Sequence, residues 1–470
     1  MRSLSRKSSR IVLVAGMLAL SACALRDPPD HATLTDDALG PPGKPPAAWQ
    51  EPGGVAGEIL GDWLQTFREP ALEALVHEAL VQNADLRAAS ARVEQAQAAL
   101  DIAAGALWPT VSLLGRAGGK SGSDNTIRGG LISASWELDL WGRLRYAKRA
   151  SKNDYESARA DYVYGRQSLA AMVAKAWFTA AEASEQRQIA LEMLHSSEKL
   201  GDLAGLTKKI GSGSDLDVAL ADANLQTYKD SVRQLDLARA QALRALEILA
   251  GRYPAGALQA SEALPALPPP VAVGVPSQLL ERRPDVVAAE RRVAAAFDRV
   301  GEAKAARLPT VVLGLGVSWI NSDLFILKDR DNPKTGFNAS AGLPLLTGGR
   351  LDAQVELRNA EQRQAVAQYA STGLKAFSEV ESALANEASL GDRQGLNERL
   401  VEDNAQVRKL SETRYRVGSG DLRDVLNDDL RLAASRTQLV TIRAQRLAQR
   451  VNLHLALGGG YGVEEAVGAR

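Results

Sequence analysis

Apolar and polar residues alternate in three segments of the chain, which is the pattern of β-strands with one apolar face. The apolar positions of these segments are Ile132, Ala134, Trp136, Leu138 and Leu140; Val311, Leu313, Leu315, Val317 and Trp319; and Phe337, Ala339, Ala341, Leu343 and Leu345. A weaker strand is predicted from Thr110 to about Ala117, where Leu114 and Arg116 share a face. The pattern therefore predicts four strands.

Long stretches without proline indicate long helices on either side of these strands. No proline lies between Pro109 and Pro254, or after Pro344. From Leu144 to about Lys209 the sequence is rich in alanine, and apolar residues recur every three or four positions. At 1.5 Å per residue such a helix would be on the order of 100 Å long, far beyond the usual globular helix.

The chain repeats itself in one order over about 170 residues. Pro109-Thr110-Val111 matches Pro309-Thr310-Val311, and Gly142-Arg143-Leu144 matches Gly349-Arg350-Leu351. The turn Gly211-Ser212-Gly213 likewise matches Gly418-Ser419-Gly420, 207 residues later. The sequence predicts a mainly α fold with β-strands, built from a duplicated unit of helix, strand pair, long helix, turn and long helix.

The N-terminus has the features of a secretion signal. Basic residues precede an apolar run from Ile11 to Leu20, and the small residues Ser21 and Ala22 follow before Cys23. Leu20–Cys23 resembles a bacterial lipobox, which makes Cys23 a candidate lipid-attachment site. An ordinary signal peptide with an incidental cysteine is the alternative.

The strands leave two interpretations open. No further segment has 18 consecutive apolar residues, so no transmembrane helix is predicted. Four strands cannot close a barrel, because about eight are the minimum. The strands therefore belong either to a half-buried soluble sheet or to a membrane barrel that several copies build together.

Composition argues against several classes of protein. The chain has 56 basic and 56 acidic residues, so no net positive charge indicates nucleic-acid binding. The four histidines stand far apart and Cys23 is the only cysteine. We therefore expect no catalytic residues, no metal site and no cofactor.

Several strings of residues are similar to those of a known family. They are Trp63–Phe67, Trp136–Leu144 (W-E-L-D-L-W-G-R-L), Leu279–Val286 (L-L-E-R-R-P-D-V), Phe377–Glu381, Arg414–Gly418 and Ala456–Gly460. With the lipobox, they identify the chain as a member of the TolC-like outer-membrane efflux factors, in particular the NodT-type lipoproteins that serve resistance-nodulation-division (RND) pumps.

The resemblance implies a complete architecture. Each protomer of a homotrimer supplies four transmembrane strands to a 12-stranded barrel, which long helices continue as a periplasmic tunnel. The protein is then a passive duct in the bacterial outer membrane, anchored there by lipid. It receives small molecules from an inner-membrane RND pump and a periplasmic adaptor. A lipid-anchored periplasmic coiled-coil scaffold without a barrel is the alternative.

The resemblance and the positions of the prolines together predict five parts of the chain. These are a signal peptide (1–22), a lipidated extended leader (23–60), a first repeat (61–253), a proline-rich linker (254–276) and a second repeat (277–470).

The resemblance also gives the two glycine turns a role. In the family such turns are the periplasmic tips that meet the adaptor, although the sequence alone also fits a plain helix-turn-helix. The corresponding residues are Gly211, Ser212, Gly213, Ser214, Asp215, Gly418, Ser419, Gly420 and Asp421.

Charged residues around the second turn are candidates for a periplasmic gate. In the family, basic and Tyr residues before the turn bond to Asp residues after it and hold the tunnel shut. The matching residues are Arg414, Tyr415, Arg416 and Asp424. Asn427 stands where the family has a second aspartate, and Asp428 is the neighbour that could compensate. The alternative is a solvated acidic helix face.

Overall fold

The structure, a computed structural model, describes residues 26–51, 54–55, 57, 61–119, 126–322 and 334–459. The chain divides into two compact units. The sheet unit draws on residues 1–44, 91–160 and 285–372, and the helical unit on 45–90, 161–284 and 373–470. Cys23, with the rest of the predicted signal peptide and lipobox, lies outside the described residues.

The described part of the first half consists of helices with one pair of strands between them. In order the elements are α1 (His31–Gly43), a 3-10 helix (Trp63–Phe67), α2 (Pro70–Gln82), α3 (Ala84–Gly105), β1 (Thr110–Gly119), β2 (Thr126–Leu138), α4 (Arg143–Lys209) and α5 (Asp215–Leu249). The second half repeats the later part of this order. Its elements are α6 (Pro276–Arg282), α7 (Pro284–Ala305), β3 (Thr310–Ser322), β4 (Lys334–Gly342), α8 (Arg350–Arg416) and α9 (Leu422–Ala456).

Helix lengths confirm the predicted duplication. Helices α4 and α8 each contain 67 residues, and α5 and α9 each contain 35. The predicted helix from Leu144 to about Lys209 differs from α4 by one residue at its start. The duplicated, mainly helical fold with four strands is thus confirmed.

The sheet unit carries one antiparallel sheet in the order β1-β2-β3-β4. Leu113 pairs with Ile132, and Ile132 pairs with Val317, so all three side chains lie on one face. Leu315 and Phe337 pair on that same face and are 53% and 72% exposed. The opposite face presents mostly small and polar residues, including Ser133 and its partner Gly316.

Two predicted strands end earlier than their apolar alternation. Strand β2 stops at Leu138. Leu140 lies in a turn, and its N–H donates to the Leu138 carbonyl over 2.8 Å. Strand β4 stops at Gly342, before Leu343 and Leu345. Gly342 pairs with Thr310, the first residue of β3, so the partner strand ends there, and Pro344 has no N–H to donate to a ladder.

The W-E-L-D-L-W-G-R-L string forms the junction between β2 and α4. The Asp139 carboxylate accepts hydrogen bonds from the N–H groups of Leu144 and Arg145, each over 3.0 Å. Glu137 forms an ion pair with Arg143 over 2.8 Å. These contacts satisfy free N–H groups at the start of the helix and fix its direction.

The helical unit is held together by a core of aromatic and aliphatic side chains. Trp63 and Phe67 of the 3-10 helix pack with Trp177 and Phe178 of α4, and the rings of Phe67 and Phe178 lie 5.0 Å apart. From the L-L-E-R-R-P-D-V string, Arg283 is buried. It pairs with Glu379 and donates to the Ala456 carbonyl over 3.2 Å.

Among the described helices, none combines the length and the apolar character needed to cross a membrane.

Candidate gating tip of the helical unit

Two short turns reverse the chain between long helices, one in each repeat. Gly211 links α4 to α5 with φ +81°, and Gly418 links α8 to α9 with φ +75°. Glycine adopts this left-handed conformation without strain. The Ser212 N–H donates to the Thr207 carbonyl over 3.0 Å, and the Ser419 N–H donates to the Arg414 carbonyl over 2.9 Å. Both predicted turns are therefore present and hydrogen-bonded.

Side chains of the first turn satisfy one another. The Ser214 hydroxyl accepts from the Asp217 N–H over 3.1 Å, and the Asp217 carboxylate accepts from the Ser214 N–H over 2.8 Å. This is a capping box, which supplies partners for free N–H groups at the start of α5. Asp215 forms an ion pair with Lys208 at the end of α4. Gly213 is half-buried, and Gly211 and Ser212 are exposed.

The second turn is capped differently. The Asp421 carboxylate accepts from the Arg423 N–H over 2.8 Å and so caps α9 alone. Ser419 and Gly418 are exposed, and Gly420 is half-buried.

The predicted gate residues fall into two groups. Arg414, Asp424 and Asn427 are exposed. Within the described part of the chain, the Arg414 and Asp424 side chains have no ion pair or hydrogen bond. Arg416 pairs with Glu412, one turn back on α8, over 2.5 Å. A single protomer thus leaves a cation and a carboxylate free beside the turn.

An apolar cluster fixes the position of both turns. Leu200 and Ala204 of α4 and Ala221 of α5 pack with three residues of α9: Leu422, Val425 and Leu426. The ring of Tyr415 is half-buried against this cluster. Because Val425 and Leu426 are buried in this cluster, their neighbours Asp424 and Asn427 are held on the exposed side of α9.

Asp428 and Asp429 lie one turn further along α9 than Asp424 and are both buried. Asp428 accepts a hydrogen bond from the Ser411 hydroxyl over 2.5 Å and pairs with Arg431 over 3.4 Å. Asp429 pairs with Arg408 of α8 over 2.7 Å. Asp428 is therefore engaged inside the protomer, unlike Asp424.

Arg408 joins three helices of the helical unit. Besides Asp429 of α9, its guanidinium contacts Glu412 of α8 and donates to the Ser196 hydroxyl of α4 over 2.8 Å. Burial raises the pKa of Asp429, and the hydrogen bond from Arg408 offsets this only in part. Burial also raises the pKa of Tyr228 on α5 to about 12, and the charge of Asp429 adds to that rise.

Sequence reasoning missed Arg408, Ser411 and Ser196, although two of them have a recognisable spacing. Arg408 and Asp429 are nearly equidistant from Ser419 at the centre of the turn, and so are Ser411 and Asp428. In an antiparallel helical hairpin, residues equally far from the turn lie side by side. A search for complementary residues at mirrored distances from the turn would have found both pairs.

Within the described ranges, no group of three or more His, Cys, Asp or Glu side chains is placed to hold a metal ion.

The sequence of this chain is similar to those of known proteins. The family model described as outer membrane efflux protein matches residues 75–252 and 275–459, one match in each half of the chain. The pyoverdine export outer membrane protein OpmQ of Pseudomonas putida is 31% identical over 463 residues, covering 94% of this chain and 96% of that protein. The cation efflux system protein CusC of Escherichia coli is 30% identical over 414 residues, covering 85% and 88%.

Solved structures agree with the sequence relatives. The outer-membrane channel OprN superposes with a TM-score of 0.79 at 27% identity, covering 90% of this chain and 99% of that one. VceC of Vibrio cholerae superposes with a TM-score of 0.80 at 25% identity, covering 86% and 100%. With its two matched repeats, its paired turns and its four-stranded sheet, this chain belongs to the outer membrane efflux protein family, whose members are outer-membrane channel components of efflux systems.

Proposed function

We propose that the protein is the passive outer-membrane duct of a tripartite efflux system and works as a homotrimer. The supporting observation is the sheet. Its apolar face is exposed, and among the described strands β1 and β4 each pair on one side only. Exposed strand edges and a continuous apolar face need partners. Three copies would join these edges into a twelve-stranded barrel with the apolar face toward lipid.

A substitution on each face of β3 tests the membrane barrel. Leu315→Arg places a charge on the apolar face and should cost about 2–4 kcal/mol at the middle of the bilayer. Gly316→Ser is the matched control on the other face, where a new Cβ would lie 3.6 Å from the nearest side chain. We expect Leu315→Arg to lose folded trimer from the outer-membrane fraction and Gly316→Ser to retain it. Equal tolerance of both changes would contradict the barrel and favour a periplasmic scaffold.

The adaptor and pump are proposed as partners through the two tips. The first tip comprises Gly211–Asp215 and the second comprises Gly418–Asp421, and both expose side chains around a fixed turn. The Pseudomonas putida relatives OpmQ and TtgF are named for export of pyoverdine and of toluene. Because relatives named for such different compounds share this fold, we assign the choice of exported molecule to the pump.

The gate is proposed to form where three copies of the second tip meet. Asp424 is exposed and free within the described protomer, and Arg414 and Tyr415 stand before the same turn. Three carboxylates around one axis repel unless cations hold them, and Arg414 of a neighbouring copy is such a cation. Asn427 adds no charge to the ring, and Asp428 is already bound to Ser411.

Channel recordings test this gate. Asp424→Ala should raise the single-channel conductance in a planar bilayer, because the closing ion pairs are lost. Asp222→Ala on α5 is the control, since Asp222 is also exposed but lies on the other helical hairpin. If Asp424→Ala leaves the conductance unchanged, the gate lies elsewhere.

Anchoring by lipid at Cys23 completes the proposal. The support is the lipobox-like string Leu20–Cys23, preceded by a basic and apolar signal region (1–19). Several acyl chains, at about 0.8 kcal/mol per buried methylene, give stable attachment. Mass spectrometry of the mature N-terminus should find a diacylglyceryl group and an amide-linked chain on Cys23. An unmodified N-terminus at another residue would contradict the anchor.

A further inference from the structure

The sheet has two unlike ends. At one end β1 and β3 begin and β2 and β4 finish, and each strand there is close in sequence to a helix of the fold. Three tryptophans stand at this end. Trp108 is 75% exposed, Trp136 donates its Nε1–H to the Leu107 carbonyl over 2.9 Å, and Trp141 donates to the Pro309 carbonyl over 2.6 Å. Such rings, apolar with one N–H, favour the level where hydrocarbon meets lipid headgroups.

A cavity of about 350 Å³ opens within the sheet unit at this level. Its size lies within the range of roughly 300–1,000 Å³ that is usual for small-molecule sites. The lining combines an apolar wall with an amide and two cationic side chains. These lining residues include Arg26, Trp141, Phe297, Lys304, Leu308 and Gln362.

The wall of the cavity is built by specific contacts. The Arg26 N–H donates to the Tyr146 hydroxyl over 2.7 Å, and Arg149 donates to the Arg26 carbonyl over 3.1 Å. A Cβ on Gly301 would lie 2.6 Å from the Tyr146 ring, so only glycine lets that ring pack there. The backbone that carries the Arg26 guanidinium is therefore fixed beside the cavity.

Two carboxylates of the sheet unit, Asp27 and Asp298, are engaged by a cation that does not line the cavity. Arg149 pairs with Asp27 over 3.1 Å and with the buried Asp298 over 2.9 Å. In the part of the chain that the structure describes, the side chains of Arg26 and Lys304 form no ion pair. The cavity thus has two cations at its lining and no carboxylate among its lining residues to balance them.

We propose that this cavity binds the headgroup of an anionic glycerophospholipid. Arg26 and Lys304 hold the phosphate, and Phe297 and Leu308 contact the first part of the acyl chains. Charge-assisted hydrogen bonds from Arg and Lys are the usual means of binding phosphate. The inference rests on the proposed function, because this end of the sheet meets lipid only if the strands cross the membrane. A membrane lipid, not free phosphate, is the assigned source because the lining is mainly apolar.

Native mass spectrometry of the full-length protein in detergent tests the site. Phosphatidylglycerol should be retained, and dioleoylglycerol, which lacks the phosphate, should be retained about tenfold less. The double variant Arg26→Gln/Lys304→Gln should lower retention of phosphatidylglycerol by a similar factor. Arg350→Gln is the matched control, since Arg350 is exposed just beyond β4 but does not line the cavity.

A second variant separates the lipid from free phosphate. Leu308→Trp enlarges an exposed side chain in the wall and should lower retention of phosphatidylglycerol without affecting the binding of inorganic phosphate. Equal retention by wild type and the double variant, or equal retention of dioleoylglycerol, would overturn the proposal. Binding of inorganic phosphate with no retained lipid would overturn the assigned source.

The channel function is recorded on the same preparation, so that the two failures are distinguishable. Protein that conducts in a planar bilayer but retains no phosphatidylglycerol contradicts the lipid site alone. Protein that retains phosphatidylglycerol through Arg26 and Lys304 but does not conduct supports the site and contradicts the duct.

Discussion

The two glycine turns of the helical unit share a backbone design and differ in how their aspartates are used. Asp217 and Asp424 are equivalent by the 207-residue repeat, as are Ser214 and Asp421. In the first repeat Asp217 completes a capping box with Ser214. In the second repeat Asp421 caps α9 through its own carboxylate, so Asp424 is released from capping and stays exposed.

The difference extends further along the helices, away from the tips. Asp429 is buried against Arg408, whereas the equivalent positions of the first repeat are the exposed Asp222 and the half-buried Gly201. The two hairpins therefore share their geometry, but within the described residues only the second has a buried ion pair at this level and a free carboxylate at its tip. The comparison favours the second tip, not the first, as the gate.

The largest expected effect is on the buried pair. Asp429→Ala leaves the Arg408 guanidinium with one partner fewer in a partly buried place, which should lower the free energy of unfolding by about 2 kcal/mol. Asp222→Ala, its equivalent in the first repeat, should change it by less than about 0.5 kcal/mol. Urea unfolding followed by circular dichroism measures both. Similar losses would show that the two hairpins are not different at this level.

The stability of the protein should depend on pH through Asp429. Burial raises the pKa of Asp429 above its ordinary 3.8, so the charged form is disfavoured in the folded protein. The stability that this group contributes is complete below pH 3.8 and is lost as the pH rises through the folded value. Acidification from about pH 7.5 to 4 should therefore stabilise the wild type relative to Asp429→Asn, which does not titrate. Parallel pH profiles of the two proteins would refute the raised pKa.

The two equivalent aspartates should differ in their contribution to stability, because only Asp217 caps a helix. Asp217→Ala removes one side of the capping box and should cost about 1 kcal/mol of stability with no change in conductance. Asp424→Ala should cost less than about 0.5 kcal/mol, because its side chain makes no hydrogen bond or ion pair within the described protomer. Thermal unfolding of both variants, compared with their channel recordings, gives the result. A stability loss from Asp424→Ala as large as that from Asp217→Ala would mean that both aspartates are caps.

The smallest effects are expected at the surface ion pairs of the tips. Arg416→Ala breaks the pair with Glu412, spaced four residues apart on α8, and should cost about 0.3–0.5 kcal/mol. Lys208→Ala breaks the pair with Asp215, whose side chain is 86% exposed, and should cost no more. Denaturant midpoints in low and high salt measure these values. A loss above about 1 kcal/mol for either variant would indicate a contact beyond a screened pair.

Much of the fold could be predicted because it depends on local pattern. The proline-free stretches located α4 and α8, the repeat located the paired turns, and period-two alternation located the strands. Strand ends were less predictable, as Leu140 and Leu343 show, because the apolar alternation continues after the hydrogen-bonded ladder has stopped.

Some features of the candidate site could likewise be predicted from the sequence, and others could not. Glycine turns and capping residues have local signatures, and Gly211, Gly418 and Asp421 could be assigned from residue type and spacing alone. The burial of Asp428 could not be predicted, because the sequence around it is equally compatible with a solvated acidic face. Its burial beside Ser411 depends on which side of α9 faces α8.

The sequence by itself determined the duplication, the helices, the strands and the two turns, since each of these follows from residue type and spacing along a short segment. Only the tertiary structure decided which charged residues are buried, paired or free. When a long helix packs on several sides, its local sequence pattern does not determine its orientation about the helix axis. Side-chain packing in the cluster of Leu422, Val425 and Leu426 fixes that orientation. It thereby turns Asp429 inward to Arg408 and leaves Asp424 exposed.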